Sequence, residues 1–142
     1  MRYFLFAIIV GIFIGFQSPI NSALGKVTDP KVAAIWNNLL GLSALVFLGI
    51  TTNSIYKFPT LFKSPPILLI GGLLGASIVY LSIITIPKIG AANFIAFIVL
   101  AQLLSSLFID YLGLFGLPKK NIDISRIIGV LFLLIGAYLI KK

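Results

Sequence analysis

Apolar residues run along this chain in long blocks, each closed by a short cluster of Lys, Pro, Gly or Asn. A bilayer core about 30 Å thick needs roughly 20 helical residues to cross it. Five segments come up to that length: Tyr3 to Ser22, Ala33 to Thr52, Pro66 to Ile86, Ala91 to Tyr111 and Ser125 to Ile140. The last is the shortest, with an uninterrupted apolar stretch only from Ile127 to Ile140. It spans if Arg126 and Lys141 snorkel to the interfaces or the bilayer thins locally. The breaks agree with this division: "GKVTDPK", with Pro30 placed to start a helix, then "YKFPTLFKSPP", "PKIG" and "GLPKKNIDISR". The pattern predicts an all-α integral membrane protein, one transmembrane domain over residues 1–142. No loop is long enough for an extramembrane domain, so function is expected within the helices or at their ends. The N-terminal "MRYFLFAIIVGIFIGFQSPINSALG" has a basic start and a small-residue site near Asn21–Ala23, as a signal peptide would. Its apolar run is long for a signal core, and a retained span is expected instead.

Composition sharpens the picture. Hydrophobic residues make up 60% of the chain, charged residues 10%, and the mean hydropathy is +1.17. Soluble domains carry about 25% charged residues, so this chain could not clothe a water-facing surface. Cysteine and histidine are both absent, which removes disulfides, the usual zinc sites and Cys–His or Ser–His catalysis. The acids Asp29, Asp110 and Asp123 are far apart in sequence, so no carboxylate pair supports hydrolysis. No catalytic residue, metal site or cofactor is expected, and an enzyme is the least supported class. The formal charge of +8 comes from cations scattered between apolar runs, which favours lipid headgroups over nucleic acid as the partner.

Five spans put the termini on opposite sides. Arg2, Lys57, Lys63, Lys119, Lys120 and Arg126 then share one side, and Lys26, Lys31, Lys88, Lys141 and Lys142 the other. Orientation is set by an excess of Lys and Arg on one side. Six against five is almost no excess, and insertion in both orientations is expected.

Small residues recur every fourth position at Ala7, Gly11 and Gly15, and again at Gly71 and Gly75. Such stripes let helix backbones approach closely, so these glycines are read as helix-packing positions. Polar residues inside spans face protein or a watery cavity, because lipid exposure is costly. Gln17, Asn21, Trp36, Asn37, Asn38 and Asn93 all fall toward one membrane face, and Gln102 lies near the midplane, as in a vestibule. For Asn21, Asn38 and Asn93, near helix ends, caps or interhelix bridges are the favoured reading over a cavity. Gln17, Asn37 and Gln102 lie deeper and read as cavity-lining. Gln102, Ser106 and Asp110 form one stripe, about 12 Å long at 1.5 Å per residue. Asp110 is placed to pair with Arg126 at the interface, or alternatively to titrate as a coupling site. The expected substrate pathway is thus Gln17, Asn21, Trp36, Asn37, Asn93, Gln102 and Ser106.

Taken together, "GFQSPINSALG", "GGLLGASIVY", "PKIGAANF", "AQLLSSLFIDYLGLFG" and "RIIGVLFLLIGAYLI" resemble the YdcZ-type family of small bacterial inner-membrane proteins. That family is a branch of the drug/metabolite transporter superfamily. The segment "WNNLLG" departs from the serine- or phenylalanine-bearing stretch expected there. The resemblance implies half of a ten-helix inverted-repeat transporter, multi-pass in the bacterial inner membrane. An antiparallel homodimer, or a heterodimer with a sibling subunit, would complete it. The first reading is therefore a small-molecule transporter or exporter working by alternating access. Amides and aromatics such as Phe16, Phe94 and Phe97, with no acid near the midplane, favour a neutral, amphipathic or anionic solute over a polycation. A dual-topology ion channel and an accessory subunit without its own pathway are the alternatives.

Overall fold

Hydrocarbon offers a backbone no hydrogen-bonding partner, so apolar runs of this length must satisfy their own peptide groups as helices. The structure is a computed structural model describing residues 1–141. Helix α1 is Arg2–Val27 and α2 is Pro30–Thr51. The third span begins with a single turn, α3 (Pro66–Leu69), and continues as α4 (Gly71–Ile89). Helix α5 is Ala91–Leu112 and α6 is Ile124–Lys141. These make five helices long and apolar enough to cross a membrane. Most run beyond the predicted bounds, because polar end residues still complete helical hydrogen bonds. The fifth reaches 18 residues by taking Arg126 and Lys141 into the helix.

Local chemistry sets the ends. Asp29 caps α2, its carboxylate accepting from the Lys31 backbone N–H at 2.8 Å, with Pro30 at the first helical position. Gly113 ends α5 at φ 67°, a left-handed conformation that favours glycine. The connection between the second and third spans holds a 3-10 segment, Ile55–Lys63, where the sequence predicted only a turn.

The described residues fall into two units, Met1–Lys88 and the part from Ile89 onward. In the first, α1, α2 and α4 meet at one point. Ala33 and Ile83 are essentially inaccessible there, with Ala34, Leu24, Val79 and Tyr80 around them. Gly25 makes this approach possible. A Cβ on it would collide with the Ile83 side chain and stand 3.5 Å from Pro30 Cα. At Gly11, Gly15, Gly71 and Gly75 an added Cβ meets nothing within 4 Å. Among the described residues the predicted packing stripes meet no other helix, while Gly25 stands at a helix–helix contact. The physical reason is that the short Thr28–Asp29 turn brings α2 onto the last turns of α1.

A second device acts at the same junction. Pro87 has no N–H, so the Ile83 carbonyl one turn earlier loses its helical donor. The hydroxyl of Ser22 on α1 lies 3.5 Å from that carbonyl oxygen and donates to it.

In the second unit α5 lies against α6. The connection folds back over the end of α5, where the Lys120 N–H donates to the Asp110 carbonyl at 2.9 Å. Asp123 starts α6: its carbonyl accepts from Arg126 and Ile127, and its carboxylate accepts from Ser125 Oγ at 2.8 Å. The Ser125 hydroxyl, the Ile124 backbone N–H and the nearby Arg126 charge hold the Asp123 carboxyl below its usual range. Large side chains such as Phe13, Leu45, Leu73 and Phe132 stand two-thirds exposed or more. Water could not tolerate so continuous an apolar surface; the bilayer covers it.

Candidate substrate site

Gln17 and Asn21 sit four residues apart on α1, so both point to one side of that helix. Asn37 on α2 reaches between them. Its Oδ1 accepts from Asn21 Nδ2 at 2.9 Å and from Gln17 Nε2 at 3.2 Å. Asn21 is 7% exposed, whereas Gln17 is open to the surroundings. Two bonds use only part of the capacity of three amides, so the cluster keeps both donors and acceptors free. It carries no charge. The structure thus joins three residues that sequence depth had only placed at one membrane face.

The other expected pathway residues stand apart from this cluster. Trp36 is 57% exposed and lines a shallow cleft with Leu24, Thr28, Val32 and Ala33, none of them an amide. Asn38 donates to the Ala34 carbonyl of its own helix at 2.8 Å. It also borders an apolar cleft of about 600 Å³ between α2 and α4, with Lys31, Leu42, Ala76 and Tyr80. Asn93 donates to the Ile89 carbonyl at 2.8 Å, leaving its Oδ1 buried and unpartnered among the described residues. Ser106 turns its hydroxyl onto Leu103 O of its own helix at 2.9 Å. Gln102 is exposed and makes no side-chain hydrogen bond among the described residues. It lies about 200° around α5 from Leu100, at 100° per residue, on the side away from α6. Arg126 and Asp110 approach to 3.7 Å, each about one-third exposed. Among the described residues, no three His, Cys, Asp or Glu come together to hold a metal.

Sequence reasoning missed Ser22, Gly25, Ile83 and Pro87 as one junction. Pro87 was the available signal: a proline inside a helix frees a carbonyl four residues back, and something must answer it.

Five spanning helices with polar side chains held between them define a multi-pass helical membrane protein. Comparison with known families then narrows the class. Residues 2–139 match the family described as "Putative inner membrane exporter, YdcZ", and the chain belongs to that family. It is similar to inner membrane protein YdcZ of Escherichia coli (strain K12), with 30% identity over 127 residues, 86% of this chain and 85% of the relative. No solved structure gives a significant match. The family role is transport across the inner membrane rather than catalysis.

Proposed function

We propose that this protein exports a small solute as an antiparallel dimer, with the Gln17–Asn21–Asn37 cluster in its pathway and access alternating between the two membrane faces. The observation that carries the reading is that cluster, an uncharged polar group with spare donors and acceptors at a helix–helix contact. It suits a neutral or amphipathic solute that hydrogen-bonds, and it offers no counter-charge to a polycation. The nearly even division of cations between the two sides supports insertion both ways. In an inverted pair, each copy presents its amide-rich end to a different side of the membrane, and the open Gln102 faces meet near the midplane, as alternating access requires. Asp110 then serves as an interfacial partner of Arg126 rather than as a midplane coupling acid.

A reporter fused to the C-terminus tests the arrangement. Similar activity on both sides of the membrane is expected, and a one-sided signal overturns the antiparallel homodimer in favour of a sibling partner. The chain has no cysteine, so Gln102→Cys introduces a single thiol. Oxidation should then join two copies of this variant.

A further inference from the structure

The α5–α6 connection carries a second site, independent of the amide cluster. Leu104, Phe108 and Tyr111 of α5, Ile122 of the connection, and Ile127 and Leu131 of α6 line an apolar groove of about 370 Å³. The groove has a direction. From Tyr111 back to Leu104 it runs about 10 Å along α5, at 1.5 Å per residue, from the membrane interface into the hydrocarbon. Its interfacial end is cationic. Arg126 precedes Ile127 in the lining and lies 3.7 Å from Asp110. Lys120 is tied by its backbone to Asp110, next to Tyr111. The Lys119 side chain crosses Gly113, its Cε 3.4 Å from where a Cβ would stand. Asp110 is engaged by Arg126, and Asp123 is engaged by Ser125 and the start of α6. Three cations and two acids leave one net positive charge at the mouth, and among the described residues neither lysine has a carboxylate partner.

A cationic mouth over an apolar floor matches an amphiphile with an anionic head. The geometry points to a bound anionic phospholipid, its phosphate between Lys119 and Lys120 and one acyl chain in the groove. A helix from another protein would fill the floor but leave the two lysines unanswered.

The test uses the full chain reconstituted in phosphatidylcholine vesicles. Trp36→Phe removes the single tryptophan, and Phe108→Trp places a reporter in the groove, at a side chain 60% exposed in the structure. Quenching by acyl-brominated phosphatidylglycerol is compared with quenching by brominated phosphatidylcholine. One net charge near a headgroup corresponds to about fivefold preference for the anionic lipid at low salt. The preference should fall to about one or below in Lys119→Gln/Lys120→Gln and weaken as salt rises. A reporter at Phe132, on α6 but outside the groove, should show a ratio near one. Tyr111→Trp reports on the same groove should Phe108→Trp fail to fold. Equal quenching by both lipids in the groove overturns the proposal, as does a preference that survives the double substitution. Absence of quenching by either lipid also overturns it, because a protein segment then occupies the groove.

Discussion

Removing the acceptor at Asn37 gives the sharpest test of the α1–α2 contact. In Asn37→Ala, two donors lose their partner: Asn21 Nδ2, bonded at 2.9 Å and buried, and Gln17 Nε2, bonded at 3.2 Å and open. Hydrogen bonds between membrane helices average about 0.6 kcal/mol and reach about 1.7 kcal/mol in double-mutant cycles, because the alternative state also finds partners. The short, buried Asn21–Asn37 bond belongs in the upper part of that range. The longer, exposed Gln17–Asn37 bond belongs at or below the average. A cycle of Asn21→Ala, Asn37→Ala and the double variant should therefore give a coupling above about 1 kcal/mol, more than fivefold in the unfolding equilibrium. The parallel cycle with Gln17→Ala should give less than about 0.6 kcal/mol. Reversible unfolding in mixed micelles with a denaturing detergent reads both, and Trp36, beside Asn37, supplies the fluorescence signal. A coupling near zero for Asn21, or a larger one for Gln17, would refute the geometry described for this cluster.

Three further outcomes are expected. Gly25→Val should destabilise the α1–α2–α4 junction by about 1–3 kcal/mol through overpacking against Ile83, while Gly11→Ala changes the unfolding of the single chain by less than about 0.5 kcal/mol. Ser22→Ala should lower stability measurably in the natural chain but not in Pro87→Ala, where the Ile83 carbonyl regains a backbone donor; an equal loss in both backgrounds would remove the proline from the account. Because the folded Asp123 carboxyl sits below its ordinary value of 3.8, its contribution is complete above that pH and drains away as acidity passes through the lower folded value. Melting followed against pH should be flat on this account above about pH 5 and fall below about pH 4, with Ser125→Ala making the fall shallower.

The spans were legible because the bilayer leaves so few options. A run of the right length with one polar break and a proline or glycine between runs has only the helix open to it. The helix ends were unevenly legible: Pro30 announced the start of α2, whereas α1 runs past Ser22 to Val27 through residues such as Lys26 that hydropathy counts against a span. The site was legible in depth but not in azimuth. Trp36 and Asn37 share a depth, yet they are 100° apart around α2, and Asn37 bonds the α1 amides while Trp36 lines a cleft without one. Which side of α2 meets α1 depends on the two-residue turn at Thr28 and Asp29, a detail that residue patterning does not contain. The glycines show the same limit. A stripe such as Gly11 and Gly15 announces a smooth face without naming its partner, whereas Gly25 reveals its role only once Ile83 stands over it. The 3-10 segment from Ile55 to Lys63 escaped notice because Pro59 lies inside it and its period differs from the α-helical one.

The hydrogen bond between Ser22 and Ile83 also imposes a timetable on synthesis. Its partners are 61 residues apart in sequence, so α1 and α2 must rest in the membrane until the third span has left the ribosome. At about 5–20 residues per second, that wait lasts several seconds. Throughout it, the Gln17, Asn21 and Asn37 amides have only one another and the headgroup water to bond to. Early pairing of those amides holds the first two helices together as a hairpin, ready for Ile83 to close against Gly25 when α4 arrives. The spans of the α5–α6 pair, from the last part of the chain, leave the ribosome after all those of the first unit.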